Sequence, residues 1–306
     1  MLTQVVTPNF YRYISTEACK VVKPVREASK TLRHIHFPTR RPYTEGLEIQ
    51  EKFVRANLDF KLMEAKISRH QKSVAEQGYV LSDYESELLA KIASLKPCPT
   101  VLTFEFEPTY TGGKREKQNT TASDVAKYEA KGAQYVQVER GGQVTYHGPG
   151  QVVAYPILDL KSFSNLSLKC YVSKLEKAIQ AVLLRGKNYA SGSSTREFGI
   201  QTITTTDTGV WANEEEKIAA LGINARRSIT SFGAAINVAT DLRYLNDADL
   251  VMCGLSDKTT TSMEALGVQS SVKDVAFCFA KELGNILGVE RVEHLDGDEL
   301  KVDGEE

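Results

Sequence analysis

The chain has 306 residues, of which 42% are hydrophobic and 25% charged, and its formal net charge is −1 at pH 7. This balance fits a globular enzyme and excludes a strong electrostatic field for nucleic acid or for a membrane surface. No repeat, no membrane-length apolar run and no linker rich in Pro, Ser and Gly interrupts the sequence, so we expect one main domain.

The amino-terminal segment is basic and poor in acidic residues. Up to residue 41 its charged side chains are Arg12, Lys20, Lys23, Arg26, Lys30, Arg33, Arg40 and Arg41, against Glu17 and Glu27. Such a lead with scattered Ser and Thr is typical of a mitochondrial transit peptide, and a disordered basic arm is the alternative. We therefore divide the chain into a leader at 1–33, a catalytic domain at 34–290 and an acidic tail at 291–306.

Helical patterns recur along the chain. An amphipathic helix is predicted over 43–62, and a second begins at Ser82, where Glu85 completes a capping box. Apolar spacings of three and four residues predict two more helices. One has the stripe Leu168, Val172, Leu175, Ile179 and Val182 and ends at Gly186; the other opens at Ser271 and Asp274 and has the stripe Val275, Phe279, Leu283 and Ile286.

Strands are predicted between these helices, at 101–106, 135–138, 152–158, 198–202, 218–223 and 234–238. Hairpins mixed with helices favour an α+β fold over strict βαβ winding. The polar stretch at 114–131 is predicted to be a loop beside the functional site or a surface excursion.

The segment from Arg140 to Gln151 concentrates a basic side chain, glycines, a histidine and a proline between two apolar runs. It reads Arg140-Gly141-Gly142-Gln143-Val144-Thr145-Tyr146-His147-Gly148-Pro149-Gly150-Gln151. Glycines allow the backbone to take positive φ or to approach a ligand closely, and the flanking strands fix the ends of the turn. The pattern therefore predicts a rigid binding loop rather than an ordinary turn.

This segment, followed by 154–157, resembles the signature of the lipoyl(octanoyl) transferases. The resemblance extends backward to 105–113 and forward through 217–222, 226–227, 230–233, 236–238 and 241–242 to Cys253-Gly254, or roughly residues 34 to 290. It implies the fold of the lipoate and biotin protein ligases, a mixed β-sheet surrounded by helices.

The resemblance also implies a reaction. Members of this family carry an octanoyl or lipoyl group from the thioester of acyl carrier protein, through an enzyme cysteine, to a lysine amine on a lipoyl domain. The implied acceptors are dehydrogenase E2 subunits and the glycine cleavage H protein, and the enzyme is expected to act as a monomer without cofactor or metal. Because lipoylated complexes are mitochondrial in eukaryotes, we expect a mitochondrial location, with the cytoplasm as the alternative.

Transfer from a thioester to an amine needs a nucleophile that is also a good leaving group, and a thiolate meets both demands. Four of the cysteines, namely Cys19, Cys98, Cys170 and Cys278, resemble core, loop or incidental residues. Cys253 is followed by Gly254 and stands at the position of the family's nucleophile. The spacing of the five cysteines predicts neither a zinc site nor a disulfide framework.

Lys217 is the expected partner of Cys253. It follows the run 214–216 of glutamates, which alone would indicate a solvated turn, but the apolar run 218–223 after it leads into the interior. By resemblance, Lys217 lowers the pKa of Cys253 and relays protons to the leaving thiol and from the incoming amine.

The walls of the acyl site follow from the same resemblance. The residues from Arg140 to His147 form one wall, and the remaining walls are Ala220, Leu221 and Gly222 with Gly233, Ala234 and Ala235. Small residues at these six positions leave a slot for a linear alkyl chain. His147 is either an acid or base or a residue that orients the loop.

Two positions depart from the family pattern, which commonly has histidine where this chain has Phe106 and Phe232. A role for histidine at 232 is therefore in doubt, whereas the pair Cys253 and Lys217 is retained.

The alternative functions are those of an ATP-dependent lipoate or biotin ligase and of a non-catalytic binding protein for lipoyl domains or acyl carrier protein. A basic rim of Arg115, Lys117, Arg226 and Arg227 is a possible docking surface for the acidic carrier, or merely scattered surface charge.

Overall fold

The structure is a computed structural model that describes residues 19–188, 196–247 and 258–300. Cys253 and Gly254 lie outside these ranges. Within them, the main sheet has the strand order β10-β8-β9-β6-β2-β1-β11, with β7 paired to β8, and a smaller sheet has the order β4-β3-β5. The strands are β1 Thr31–His36, β2 Thr100–Phe104, β3 Thr109–Gly112, β4 Gln134–Gln137, β5 Thr145–His147, β6 Gln151–Ile157, β7 Val210–Trp211, β8 Glu216–Arg226, β9 Ile229–Asn237, β10 Thr259–Thr260 and β11 Arg291–Asp296.

The helices are α1 Tyr43–Glu76, α2 Asp83–Ser94, α3 Ala122–Ala130, α4 Leu168–Arg185 and α5 Val272–Leu287. Parallel and antiparallel pairs occur in the same sheet, since β1 runs parallel to β2 and β11 while β6 is antiparallel to β2 and β9. This confirms the α+β prediction. None of the described helices combines the length and the hydropathy that crossing a membrane requires.

The centre of the main sheet is buried on both faces. Along β6 the side chains of Val152 and Ala154 join the core formed with α4 and α5, whereas Val153 and Tyr155 join the core on the α1 side. This alternation follows from the two-residue period of a strand. It also explains why β6 is apolar after its first residue, Gln151, as expected for a strand covered by helices on both sides.

Several predicted elements are confirmed. Helix α2 starts after Ser82 with both hydrogen bonds of the capping box, α4 ends before Gly186, and α5 is capped by Ser271. The predicted strands at 101–106, 135–138, 152–158, 218–223 and 234–238 correspond to β2, β4, β6, β8 and β9. Helix α1 is longer than predicted because it continues past residue 62 to Glu76 without burying further residues.

Two predicted elements differ from the structure. The stretch 114–131, predicted to be a loop beside the site or a surface excursion, contains α3, which Thr121 and Asp124 cap and which is mostly exposed, so it is not a loop throughout. The segment 198–202 is not a strand, because its amides bond to the end of α4: Phe198 N–H donates to Gly186 O and Ile200 N–H to Leu183 O. An apolar alternation that covers a helix terminus cannot be distinguished from a strand by periodicity alone.

The predicted domain boundaries at residues 34 and 290 cut through the sheet. Strand β1 begins at Thr31, inside the predicted leader, and β11 occupies 291–296, inside the predicted tail. The two strands pair in parallel, with Thr31 opposite Arg291. The described fold therefore includes the end of the predicted leader and the beginning of the predicted tail, because these two distant segments pair in the sheet.

A disulfide joins Cys19 to Cys170 at the start of α4, with 5.8 Å between the two Cα atoms. It contradicts the expectation that the cysteines form no disulfide. The two residues are 151 positions apart, so only the folded chain brings them together. Among the described residues, Cys98 and Cys278 are free thiols.

Three histidines cluster where β1 meets β11; His34 and His36 are buried, and His294 is exposed. The Nδ1 atoms of His34 and His294 lie 2.8 Å apart, and the hydroxyl of Thr103 lies 2.8 Å from His34 Nε2 and 3.0 Å from His36 Nδ1. Burial lowers the pKa of His34 well below its usual value, lowers that of His36 to about 4, and lowers that of His294. At neutral pH the buried imidazoles of His34 and His36 are therefore neutral in the folded protein.

We expect the free energy of unfolding to decrease as pH falls from 7 to 5. Below about pH 6.5 the unfolded chain binds protons that the buried His34 and His36 do not bind in the folded protein, which costs up to about 1.4 kcal/mol per pH unit for each of these two histidines. Denaturant titrations at pH 7, 6 and 5 measure the slope. The variant His36→Asn removes one of these groups and should reduce that slope; equal stability of the wild type at pH 7 and pH 5 would contradict the prediction.

Candidate active site

A cavity of about 420 Å³ lies between the glycine-rich loop, β8 and β9. Most of the predicted wall residues line it together. They are Arg140, Gly141, Gly142, Gln143, Thr145 and His147 from the loop, Ala220, Leu221 and Gly222 from β8, Gly233, Ala234 and Ala235 from β9, and Lys217 at the beginning of β8. Segments that are up to 95 positions apart thus form one site because β8 and β9 pair directly, with Gly222 opposite Gly233.

Val144 and Tyr146 do not line this cavity, although the sequence placed them in its wall. Both belong to a separate core cluster under the small sheet, where the ring of Tyr146 stacks on Tyr244 at 4.6 Å. Residues alternate in direction along β5, so Thr145 and His147 reach the cavity while Tyr146 points the opposite way. The motif therefore contains core residues as well as site residues.

Arg140 fixes the loop to the small sheet. Its buried guanidinium donates from Nη2 to the carbonyl oxygen and the hydroxyl of Thr111, at 2.7 and 2.8 Å, and from Nη1 to Gly141 O at 3.0 Å. Gly141 N–H in turn donates to Ile223 O on β8 at 2.9 Å. A Cβ at Gly222 would lie 2.9 Å from Arg140 Cδ, so glycine is needed there for the close approach.

His147 is a neutral, fixed side chain. Burial and the charge of Arg140 lower its pKa to about 3. Its Nδ1 lies 2.9 Å from Gln151 Oε1 and its ring stacks on Tyr43 at 5.3 Å. Gln151 Nε2 donates to Tyr146 O and to Asn237 Oδ1, which orients the amide so that its oxygen accepts from His147 Nδ1–H. These contacts favour the orienting role over acid or base catalysis.

Lys217 is buried beside the cavity rather than solvated with the preceding glutamates. Lys217 is only 8% exposed. Its Nζ donates to Thr208 O at 3.3 Å and lies 4.6 Å from the ring centroid of Trp211. Gly209 makes room for the lysine stem, because a Cβ there would lie 3.1 Å from Lys217 Cε. A carbonyl and an aromatic face are both suited to an ammonium group.

Several lining residues were missed from the sequence. They are Tyr43, Val153, Tyr155, Val172, Thr206, Asp207, Thr208, Ile223 and, as a wall residue, Phe232. Tyr155 lies inside the motif that follows the loop, so the motif signalled it. Tyr43 and the turn at 206–208 carry no local signal, because nothing in their own segments indicates that the fold turns them toward the loop.

The predicted basic rim is only partly available. Arg115 is exposed and lines the cavity. Arg226 is paired with Glu51, and Lys117 lies 3.4 Å from Glu139. Arg227 lies in the turn between β8 and β9, where its carbonyl accepts from Lys61.

Comparison with known proteins first defines the class. The model of the lipoyl protein ligase A/B catalytic domain matches residues 78–284. Mitochondrial octanoyltransferases of Kluyveromyces lactis and Saccharomyces cerevisiae are each 43% identical to the chain, over 95% and 92% of it and over 92% and 90% of their own lengths. The mitochondrial octanoyl-[acyl-carrier-protein]:protein N-octanoyltransferase of Danio rerio is 40% identical over 54% of this chain and 66% of its own length.

The chain therefore belongs to the octanoyltransferase family and is an acyltransferase. This confirms the resemblance drawn from the glycine-rich loop.

Proposed function

We propose that this protein transfers an octanoyl group from acyl carrier protein to the lysine amine of a lipoyl domain, the first step of lipoate biosynthesis. The observation that carries this proposal is the cavity itself, where the buried Lys217 stands at one end of a slot walled by Ala220, Gly222 and Ala235. A slot of this kind can hold an alkyl chain, and the lysine at its end can donate a proton to the thiolate that leaves the thioester.

The reaction proceeds in two steps through Cys253. The thiolate attacks the donor carbonyl, the bond to the pantetheine sulfur breaks, and the departing thiolate takes a proton from the Lys217 ammonium. The acceptor amine then attacks the acyl-enzyme, loses a proton to the neutral Lys217 amine, and releases Cys253 as a thiolate. The free enzyme is thereby restored with the same protons and charges as at the start.

Burial of the acyl chain provides the binding energy. Each methylene removed from water contributes about 0.8 kcal/mol. Because one methylene in an apolar pocket discriminates by only about 1 to 3 kcal/mol, neighbouring chain lengths should be accepted to some degree. Lipoyl groups, which carry an eight-carbon chain, fit the same slot as a second donor.

The partners and the location belong to the same proposal. Acyl carrier protein is the donor, and the lipoyl domains of dehydrogenase E2 subunits and the glycine cleavage H protein are the acceptors, with the enzyme acting as a monomer. The name of the Danio rerio relative supports the donor, and the mitochondrial relatives support the location. Any leader that is removed ends before Thr31, because β1 lies between β2 and β11.

Intact-protein mass spectrometry tests the route. Brief incubation with octanoyl-acyl carrier protein, without ATP, should give wild-type protein one hydroxylamine-labile octanoyl adduct that is absent from Cys253→Ser. The matched control is Cys98→Ser, which removes a free thiol that does not line the cavity and should leave the adduct in place. An adduct on Cys253→Ser would refute the nucleophile, and acyl transfer that requires ATP would indicate the ligase mechanism instead.

A further inference from the structure

We propose that Phe232, held in an unusual backbone conformation by Gln50, forms the closed end of the cavity and sets the length of the acyl chain. This inference rests on the proposed function, since it assumes that the cavity holds the acyl chain. It assigns a specificity-determining role to Phe232 and a positioning role to Gln50.

The exposure of the lining residues shows which end of the cavity is open. Thr206 and Thr208 are exposed, and Thr208 lies beside Lys217, whose Nζ bonds to Thr208 O. At the other end Tyr155 is 2% exposed and Phe232 is 7% exposed. A chain that runs from Lys217 toward Phe232 therefore leaves the exposed threonines and meets two buried aromatic rings.

Strand register places Phe232 at the far end of the slot. Along β8, Lys217 is followed by the small residues of the wall and then by Ile223, which pairs with Phe232 on β9. Six residues of extended strand span about 20 Å, at roughly 3.3 Å per residue. The lysine side chain and the acyl chain share this span, and the phenyl ring is the first bulky group beyond the glycine pair Gly222 and Gly233.

The backbone at Phe232 turns its side chain toward the cavity. Its φ is 57°, in the left-handed region that a bulky residue rarely adopts. Neighbouring even-numbered residues of β9, Ala234 and Ile236, pack into the core with α4 and α5, whereas Phe232 packs on the α1 side against Tyr155. The left-handed residue thus re-aims one side chain across the sheet, as a bulge does.

Helix α1 holds this conformation in place. Phe232 N–H donates to Oε1 of the buried Gln50, which is seven residues after Tyr43 and so lies on the same face of the helix. Tyr43 also lines the cavity. Between them Gly46 lets the helix lie directly against Phe106, since a Cβ there would overlap the Phe106 ring. The end wall is therefore braced by a helix and not by a loop.

Chain-length profiles test the proposal. Acyl carrier protein charged with octanoyl, decanoyl or dodecanoyl groups is supplied to wild type and variants, and kcat/KM for acyl-enzyme formation is measured for each. Phe232→Gly keeps a residue that tolerates the positive φ and removes the ring, and it should raise the dodecanoyl-to-octanoyl ratio at least 10-fold. Phe232→Leu, which retains a smaller side chain, should raise it less.

Two further variants separate the end wall from general packing. Phe106→Leu truncates a buried ring of the same cluster that does not line the cavity, and it should leave the ratio unchanged. Gln50→Ala removes the acceptor for Phe232 N–H and should raise the ratio, whereas Gln50→Glu keeps an acceptor and should restore the wild-type profile.

The proposal is overturned if Phe232→Leu and Phe106→Leu change the ratio equally, or if neither substitution at 232 changes it while the octanoyl adduct still forms. Failure of the proposed function has a different signature, because wild type would then form no adduct with a donor of any length.

Discussion

Replacement of Lys217 by alanine is expected to slow acyl-enzyme formation by roughly 100- to 10,000-fold, the usual contribution of a positioned proton-transfer group. The reason is geometric as well as chemical. Thr208 O and the Trp211 ring hold the ammonium at the cavity, so no mobile surface lysine can substitute for it. Rapid-quench measurement of octanoyl adduct formation at neutral pH provides the rate.

Lys217→Arg is the matched control for charge. Guanidinium keeps the positive charge but does not release a proton under these conditions, and its planar group is larger than the space beside Gly209. We expect it to remain at least as slow as Lys217→Ala in the second step, where an amine must be deprotonated. Adduct formation by Lys217→Ala at the wild-type rate would show that Lys217 has no catalytic role.

The second large effect concerns stability. Gly233→Ala is expected to lower the free energy of unfolding by more than about 3 kcal/mol, at the upper end of the cost of overpacking. A Cβ at this position would collide with Ala154 O on β6 and lie 2.6 Å from Pro156 Cδ. Both are backbone or ring atoms of a buried central strand, so neither can move without separating β6 from β9.

Urea titration measures this loss, and Gly132→Ala is the control. Gly132 has φ 77° and nothing within 4 Å of a built Cβ, so its substitution carries only the left-handed strain of about 1 to 2 kcal/mol. If Gly233→Ala were no more destabilising than Gly132→Ala, the close approach of β6 and β9 would not require glycine. The comparison thus separates steric exclusion from backbone strain.

The sequence predicted helices correctly where the signal, a cap or a helical stripe, involves neighbouring residues. The capping box at Ser82 and the stripe that Gly186 ends correspond to α2 and α4, because caps and helical periodicity involve residues within a few positions of one another. The same local reasoning failed at 198–202, whose amides bond to the carbonyls at the end of α4. Periodicity reports that a segment is half-buried but does not identify what covers it.

The residues of the candidate site likewise divide into those that a local sequence motif predicted and those that it did not. The glycine-rich loop, the small residues of β8 and β9 and Lys217 could be selected from the sequence because each belongs to a compact motif. Trp211 and Tyr43 could not, since each is ordinary within its own segment. Cys253 lies outside the described residues, so its meeting with Lys217 stays a prediction.

By itself the sequence determined the chemistry available to this protein: a thiol, a lysine and a glycine-rich loop, each defined by neighbouring residues whose types restrict the backbone. The tertiary structure decided that Lys217 and the glycine-rich loop share a cavity and that β1 pairs with β11 across some 260 positions, as Thr31 does with Arg291. Contacts between distant segments depend on how helices and sheets pack around a common core, and single-sequence periodicity contains no information about that packing.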